Sequence, residues 1–166
     1  MGLFGSQNED GSIGTNLSFI YGLNTFSSNE SVELSLHKDE NEIKVTSRIN
    51  RKKPIAHVAL DKISKIQMLT GKEIKEKSES LAGTAIAGGV IIEHLGAIFN
   101  SMSAKENDPD IQHYIIINYR SKNKRKSNGE DKALSFKIIG ASVGWEKVFD
   151  EIKSNIVGEV EANVVL

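Results

Sequence analysis

Cysteine is absent from all 166 residues, which excludes disulfides, iron–sulfur clusters, thiolate zinc sites and cysteine nucleophiles in this chain. Proline occurs only twice, at Pro54 and Pro109, so long stretches can pair or coil without interruption. Neither sign of charge dominates: 21 Lys and Arg face 22 Asp and Glu, a net charge of −1. No global field then draws the chain to nucleic acid or anionic lipid, and any such attraction must come from a local patch. The start, "MGLFGSQNEDGSIG", lacks the basic flank and apolar run of a secretory signal, so a cytoplasmic location is the expectation. Gly2 and Ser6 fit a myristoylation pattern, but the expectation is a plain flexible, glycine-rich lead-in.

What is present is a succession of strand patterns. In "SVELSLH", Val32, Leu34 and Leu36 alternate with polar residues, and after "KDEN" the segment "EIKVTSRI" places Ile43, Val45 and Ile49 on one face. Period two with β-branched residues predicts an antiparallel hairpin. "NRKKP" reads as a second turn and "IAHVAL" (55–60) as a third strand. In "KISKIQMLTGKEIKEK", Ile63, Ile66 and Met68 fit a bulged strand or a short helix, and Gly71 reads as a turn. "IQHYIIINY" (111–119) carries Ile115, Ile116 and Ile117 in a row, the mark of burial on both faces. "RSKNKRKSNGED" reads as a hydrophilic loop turning at Asn128–Gly129, and "KALSFKII" returns as its partner strand. Trp145, Val148, Phe149, Ile152 and Ile156 then form one stripe of an amphipathic helix, with Ser142 placed to cap it and Gly158 to end it.

One segment stands apart, "LAGTAIAGGVIIEHLGAIFN" (81–100). It has the spacing of a phosphate loop from Gly83 to Gly88, but Gly89 and Val90 stand where lysine and a hydroxyl are needed. It is short for a membrane span, which needs about 20 apolar residues, and Glu93–His94 interrupts it. Gly83 with Ala87 and Ala85 with Gly89 are each four apart, two small-residue ridges if the segment is helical. The expectation is a helical insert packed on the domain or on a second copy, with Gly83, Ala85, Ala87, Gly88, Gly89 and Gly96 as contact residues.

Two basic clusters, Arg51, Lys52 and Lys53, and Arg120, Lys122, Lys124, Arg125 and Lys126, are candidates for contact with anions or lipid headgroups. Neither offers aromatic residues for base stacking, which argues against nucleic acid. Catalysis has little to draw on. His37, His57, His94 and His113 are scattered, and no G-x-S-x-G or H-E-x-x-H occurs. No cofactor, metal or catalytic residue is expected.

Several antiparallel strands followed by one amphipathic helix imply a bent sheet or barrel capped by that helix. In this the chain resembles the pleckstrin-homology (PH) superfold, in particular bacterial PH-like domains of uncharacterised function. The resembling stretches are "FIYGLNTF", "ALDKISKIQ", "KEKSESLAGTAIAGGVIIEHLGAIFNSMS", "YIIINYRSKN" and "ALSFKI". Lys77, Ser78, Gly83, Gly88, Gly89, Gly96 and Ala97 match a Lys-Ser step into a Gly/Ala-rich insert. Glu93, His94 and Asn100–Ser101 depart from it. In many PH domains the first-hairpin loop carries phosphoinositide binding. Here that loop reads as the acidic-leaning "KDEN" (38–41), against the usual mode.

The expected organisation is a tail over 1–15, a PH-like domain over 16–157 with the insert at 78–109, and a second tail over 158–166. The expected function is a non-enzymatic interaction module for a protein or peptide, self-associating or docking through the insert. The alternative is a peripheral membrane module that uses residues 81–99 and the basic loops 51–53 and 120–126.

Overall fold

The computed structural model describes residues 11–80, 86–87, 90–91, 112–123 and 126–156. In chain order the elements are β1 (Ile13–Tyr21), β2 (Glu30–His37), β3 (Glu42–Ser47), β4 (Ala56–Ala59), β5 (Ile63–Thr70), α1 (Gly71–Ser80), β6 (Ile86–Ala87), β7 (Val90–Ile91), β8 (His113–Asn123), β9 (Lys126–Lys137) and α2 (Trp145–Asn155). Seven strands form one antiparallel sheet in the order β4-β3-β2-β1-β9-β8-β5.

The two edge strands of that sheet are consecutive in sequence. Seven flat strands would hold their outer members about 29 Å apart at ~4.8 Å per gap. Yet only the 3-10 turn Leu60–Lys62 joins β4 to β5, and four residue steps reach at most about 14 Å. The sheet must therefore roll until its edges approach, although no ladder pairs β4 with β5 and the sheet is not closed.

Alternation decides what the roll encloses. Leu17 and Phe19, Val32, Leu34 and Leu36, Ile43 and Val45, Ile115 and Ile117, and Leu134 and Phe136 point inward into one core. Phe19 meets Phe26 and Phe136 edge to face, with centroids 5.4 and 5.9 Å apart. Helix α2 packs on β1, β2 and β5. Its expected stripe faces the core: Val148, Ile152 and Ile156 are buried, and Trp145 and Phe149 partly so.

The other face of β8 is covered as well. Tyr114 and Ile116 are as buried as Ile115 and Ile117 between them. Leu69 pairs with Tyr114 on that second face, and Ile74 of α1 is fully buried. Strand β7 lies against β5, β8 and β9.

Several expectations change. Strand β1 starts at Ile13, so 13–15 belong to the sheet rather than to a tail, because Ile13 and Thr15 are buried. The first antiparallel pair is β1 with β2, joined by "GLNTFSSN" (22–29), and "KDEN" links β2 to β3. The first-hairpin connection is therefore 22–29, which holds no basic residue, and not "KDEN". Gly71 opens α1 instead of turning between strands. Thr70 and Glu73 form a capping box there, Glu73 Oε1 accepting from the Thr70 amide at 2.9 Å and Thr70 Oγ1 from the Glu73 amide at 3.1 Å. Asn128 and Gly129 lie within β9, not at a turn, and Asn123 pairs with Lys126. Ser142 does not cap α2; its hydroxyl donates to the Asn16 carbonyl and accepts from the Ile139 amide.

The helical insert is corrected where it is described. Ile86–Ala87 pairs with Val90–Ile91 as a short antiparallel hairpin, so Ala87 lies on a strand and forms no helical ridge with Gly83. Gly83, Ala85, Gly88, Gly89 and Gly96 lie outside the described residues, with the rest of 81–85, 88–89 and 92–111, as does Gly158.

Candidate functional site

Antiparallel pairing sends a defined set of connections to one end of the sheet. The C-terminal ends of β1 and β3 and the N-terminal ends of β2 and β4 meet there. Ser18 pairs with Lys137 and Tyr21 with Ser135, so β9 runs back past the end of β1 towards its link with β8. Beyond Tyr119, the last β8 residue opposite β5, strands β8 and β9 continue as a two-stranded ribbon. The β1–β2 connection (22–29), the β3–β4 connection (48–55) and the tip of the ribbon thus share one end.

The connection 48–55 has an unusual surface. Ile49 is 70% exposed and Ile55 47% exposed, with Arg51 and Lys52 exposed between them. The sequence pattern places Ile49 on the buried face with Ile43 and Val45. The structure corrects this because β3 ends at Ser47, whose hydroxyl accepts from the Ile49 and Asn50 amides and breaks the alternation. Ile55 falls just before β4 and is likewise outside the core. Asn50 Oδ1 accepts from the Lys52 amide at 3.0 Å, and the Lys53 amide donates to the Asn50 carbonyl at 3.1 Å, so a defined turn presents the two cations.

Lys53 does something else. Its ammonium lies 2.7 Å from Glu30 Oε1 and 6.0 Å from the centre of the Phe26 ring. Glu30 is buried at the start of β2, where its other oxygen accepts from the Ser47 hydroxyl at 2.6 Å and Oε1 also accepts from the Ser27 amide at 2.9 Å. Burial on its own pushes the carboxyl up. The bonds from Lys53, Ser27 and Ser47, with the charge of Lys53, outweigh it and hold Glu30 below the ordinary carboxylate range. Lys53, expected to contact an external anion, is therefore committed to an internal one.

In the second basic cluster, Arg120 is exposed on β8 opposite Asp131, and Lys122 and Lys126 lie on the ribbon strands. Lys124 and Arg125 are outside the described residues.

Among the described residues the histidines do not converge, and His94 lies outside them. His57 Nδ1 lies 2.6 Å from Glu42 Oε2, and this contact, opposed by burial, holds Glu42 below its usual range. His37 Nε2 lies 2.8 Å from Ser35 Oγ, and His113 is exposed at the start of β8. Among the described residues no group of three or more His, Asp or Glu is placed to hold a metal ion. Likewise, no described helix is long and apolar enough to cross a membrane.

The isoleucines at 49 and 55 and the Glu30 network are the features that pattern reading missed. A signal existed for the first, two isoleucines bracketing "NRKKP". None existed for the second, since Glu30 and Lys53 are 23 residues apart.

No protein-family model matches the chain, and neither the curated proteins nor the solved structures contain a match.

Proposed function

We propose that this chain is a non-enzymatic PH-like module that docks reversibly on an anionic membrane surface through the 48–55 connection. The observation that carries the reading is the exposure of Ile49 and Ile55 on either side of Arg51 and Lys52. Apolar side chains held out beside cations suit a lipid interface, where hydrocarbon and anionic headgroups lie within a few ångströms of each other. The rolled, unclosed antiparallel sheet with a C-terminal helix packed on it supports the PH-like part of the proposal.

The magnitudes define what kind of docking this is. Each cation near an anionic leaflet contributes about 1 kcal/mol. Each isoleucine, reaching roughly half of full burial, adds about 1 kcal/mol. Four such groups give about 4 kcal/mol, a partition constant on the order of 10³ M⁻¹. That is less than the ~10⁴ M⁻¹ of one myristoyl chain. The loop alone is therefore a weak, readily reversible anchor.

On this reading the short strand β7 (Val90–Ile91) helps to cover the sheet, lying against β5, β8 and β9. Co-sedimentation with phosphatidylcholine vesicles, with and without phosphatidylserine, is the test. The full chain should pellet with the anionic vesicles at low salt, and Ile49→Ser/Ile55→Ser should stay in the supernatant. Wild-type protein remaining in solution at low salt sinks the proposal and returns the weight to a protein or peptide partner.

A further inference from the structure

The Glu30 network lies directly beneath the docking loop, and it joins three separate pieces of chain. Through Oε1 the carboxylate takes the Ser27 amide of the β1–β2 connection and the Lys53 ammonium of the β3–β4 connection. Through Oε2 it takes the hydroxyl of Ser47, the last residue of β3. Ser47 in turn accepts from the Ile49 and Asn50 amides, so the carboxylate is one hydrogen bond removed from the backbone that presents Ile49. The side chain of Glu30 is 1% exposed and that of Lys53 26%. Lys53 thus reaches from the loop to an interior anchor, its ammonium 6.0 Å from the centre of the Phe26 ring.

We infer that Glu30 is the positioning residue of the docking loop, a carboxylate clamp that presets Ile49, Arg51, Lys52 and Ile55 in their outward arrangement before any membrane is met. The inference rests on the docking reading above. A loop that must order on contact spends part of its interaction energy on that ordering, and a preset loop does not. The arrangement also explains why one of three adjacent cations faces inward. Lys53 contributes order to the loop, while Arg51 and Lys52 contribute attraction.

The clamp and simple electrostatics predict opposite signs for one substitution. Glu30→Gln removes a negative charge and releases Lys53 as an additional cation, so charge alone predicts tighter binding to anionic vesicles. The clamp predicts weaker binding, by about three- to tenfold if one or two side chains and their backbone must be ordered afresh. Lys53→Met breaks the same pair while lowering the net charge, and Lys53→Arg keeps the pair. Hydrogen exchange of the 48–55 amides, without vesicles, and binding to phosphatidylserine vesicles should be measured for all three variants in the full chain.

The expected result is faster exchange in 48–55 for both Glu30→Gln and Lys53→Met, weaker vesicle binding for both, and wild-type behaviour for Lys53→Arg. Binding that follows net charge, rising in Glu30→Gln and falling in Lys53→Met, overturns the clamp. Unchanged exchange in the loop overturns it too. If wild-type protein does not bind vesicles, the docking reading fails, and the exchange data still decide whether Glu30 orders the loop.

Discussion

Replacing Gly22 with alanine should be among the most damaging single-methyl changes in this protein. Gly22 follows β1 at φ +131°, a conformation that residues with a Cβ rarely adopt. An added Cβ would lie 2.5 Å from the Ala133 carbonyl oxygen and 2.8 Å from Leu134 Cδ2, both in β9. The first of these is backbone and cannot swing aside. Conformational strain of this kind costs about 1–3 kcal/mol, and forcing extra volume into packed structure about 1–3 kcal/mol more. A loss of about 3–4 kcal/mol is therefore expected, a large share of the 5–15 kcal/mol typical of a domain. Urea unfolding followed by far-UV circular dichroism measures it. Gly140→Ala is the internal control, since a Cβ there meets nothing within 4 Å, and it should stay within about 0.5 kcal/mol of wild type. If Gly22→Ala is as mild as Gly140→Ala, the close approach of the β1 exit to β9 is wrong, and with it the path of the 22–29 connection that carries Ser27 to Glu30.

Other consequences are as direct. Ile49→Ser/Ile55→Ser should lower the partition onto anionic vesicles by about 30-fold, as two interfacial isoleucines of about 1 kcal/mol each require. It should leave the urea midpoint nearly unchanged, because neither side chain is in the core; a large loss of stability would place them inside. Ile74→Ala removes a fully buried side chain of α1 and should cost about 2–4 kcal/mol, whereas a change near zero would mean that the second face of the sheet is not packed. The Glu30 carboxyl is depressed in the folded state. Its contribution is thus complete above the ordinary carboxylate range and is lost as pH falls through the folded value. Thermal unfolding from pH 7 to pH 3 should show a steeper acid limb for wild type than for Glu30→Gln, and parallel limbs would contradict the burial of an ionised Glu30.

Where side chains alternate against a single core, the sequence was legible. Val32, Leu34 and Leu36, the run at Ile115–Ile117 and the stripe of α2 all lie where period two or period 3.6 puts them. The errors arose where polar chemistry overrides the pattern. The ribbon of β8 and β9 is a paired structure with almost no apolar alternation, so "RSKNKRKSNGED" resembles a loop in composition although the backbone of 120–123 and 126–131 is strand. Ile49 keeps the phase of β3 but not its pairing, because Ser47 diverts the chain. Thr70 and Glu73 spell a capping box in the sequence, but Gly71 beside them is equally a turn signal, and only the two reciprocal bonds decide for the helix. In the 48–55 connection, Arg51 and Lys52 were legible as cations. The inward turn of Lys53 was not, since it depends on a partner brought near only by the rolled sheet.

The absence of cysteine allows the proposed docking end to be probed one position at a time. An environment-sensitive fluorophore on Ile49→Cys reports from the proposed contact loop, and the same probe on Val143→Cys reports from an exposed site near Thr15, in the first half of β1. Titration with phosphatidylserine vesicles at low salt should shift the emission at position 49 to the blue and leave position 143 unchanged. A shift at 143 alone, or at neither position, would contradict docking through the 48–55 connection.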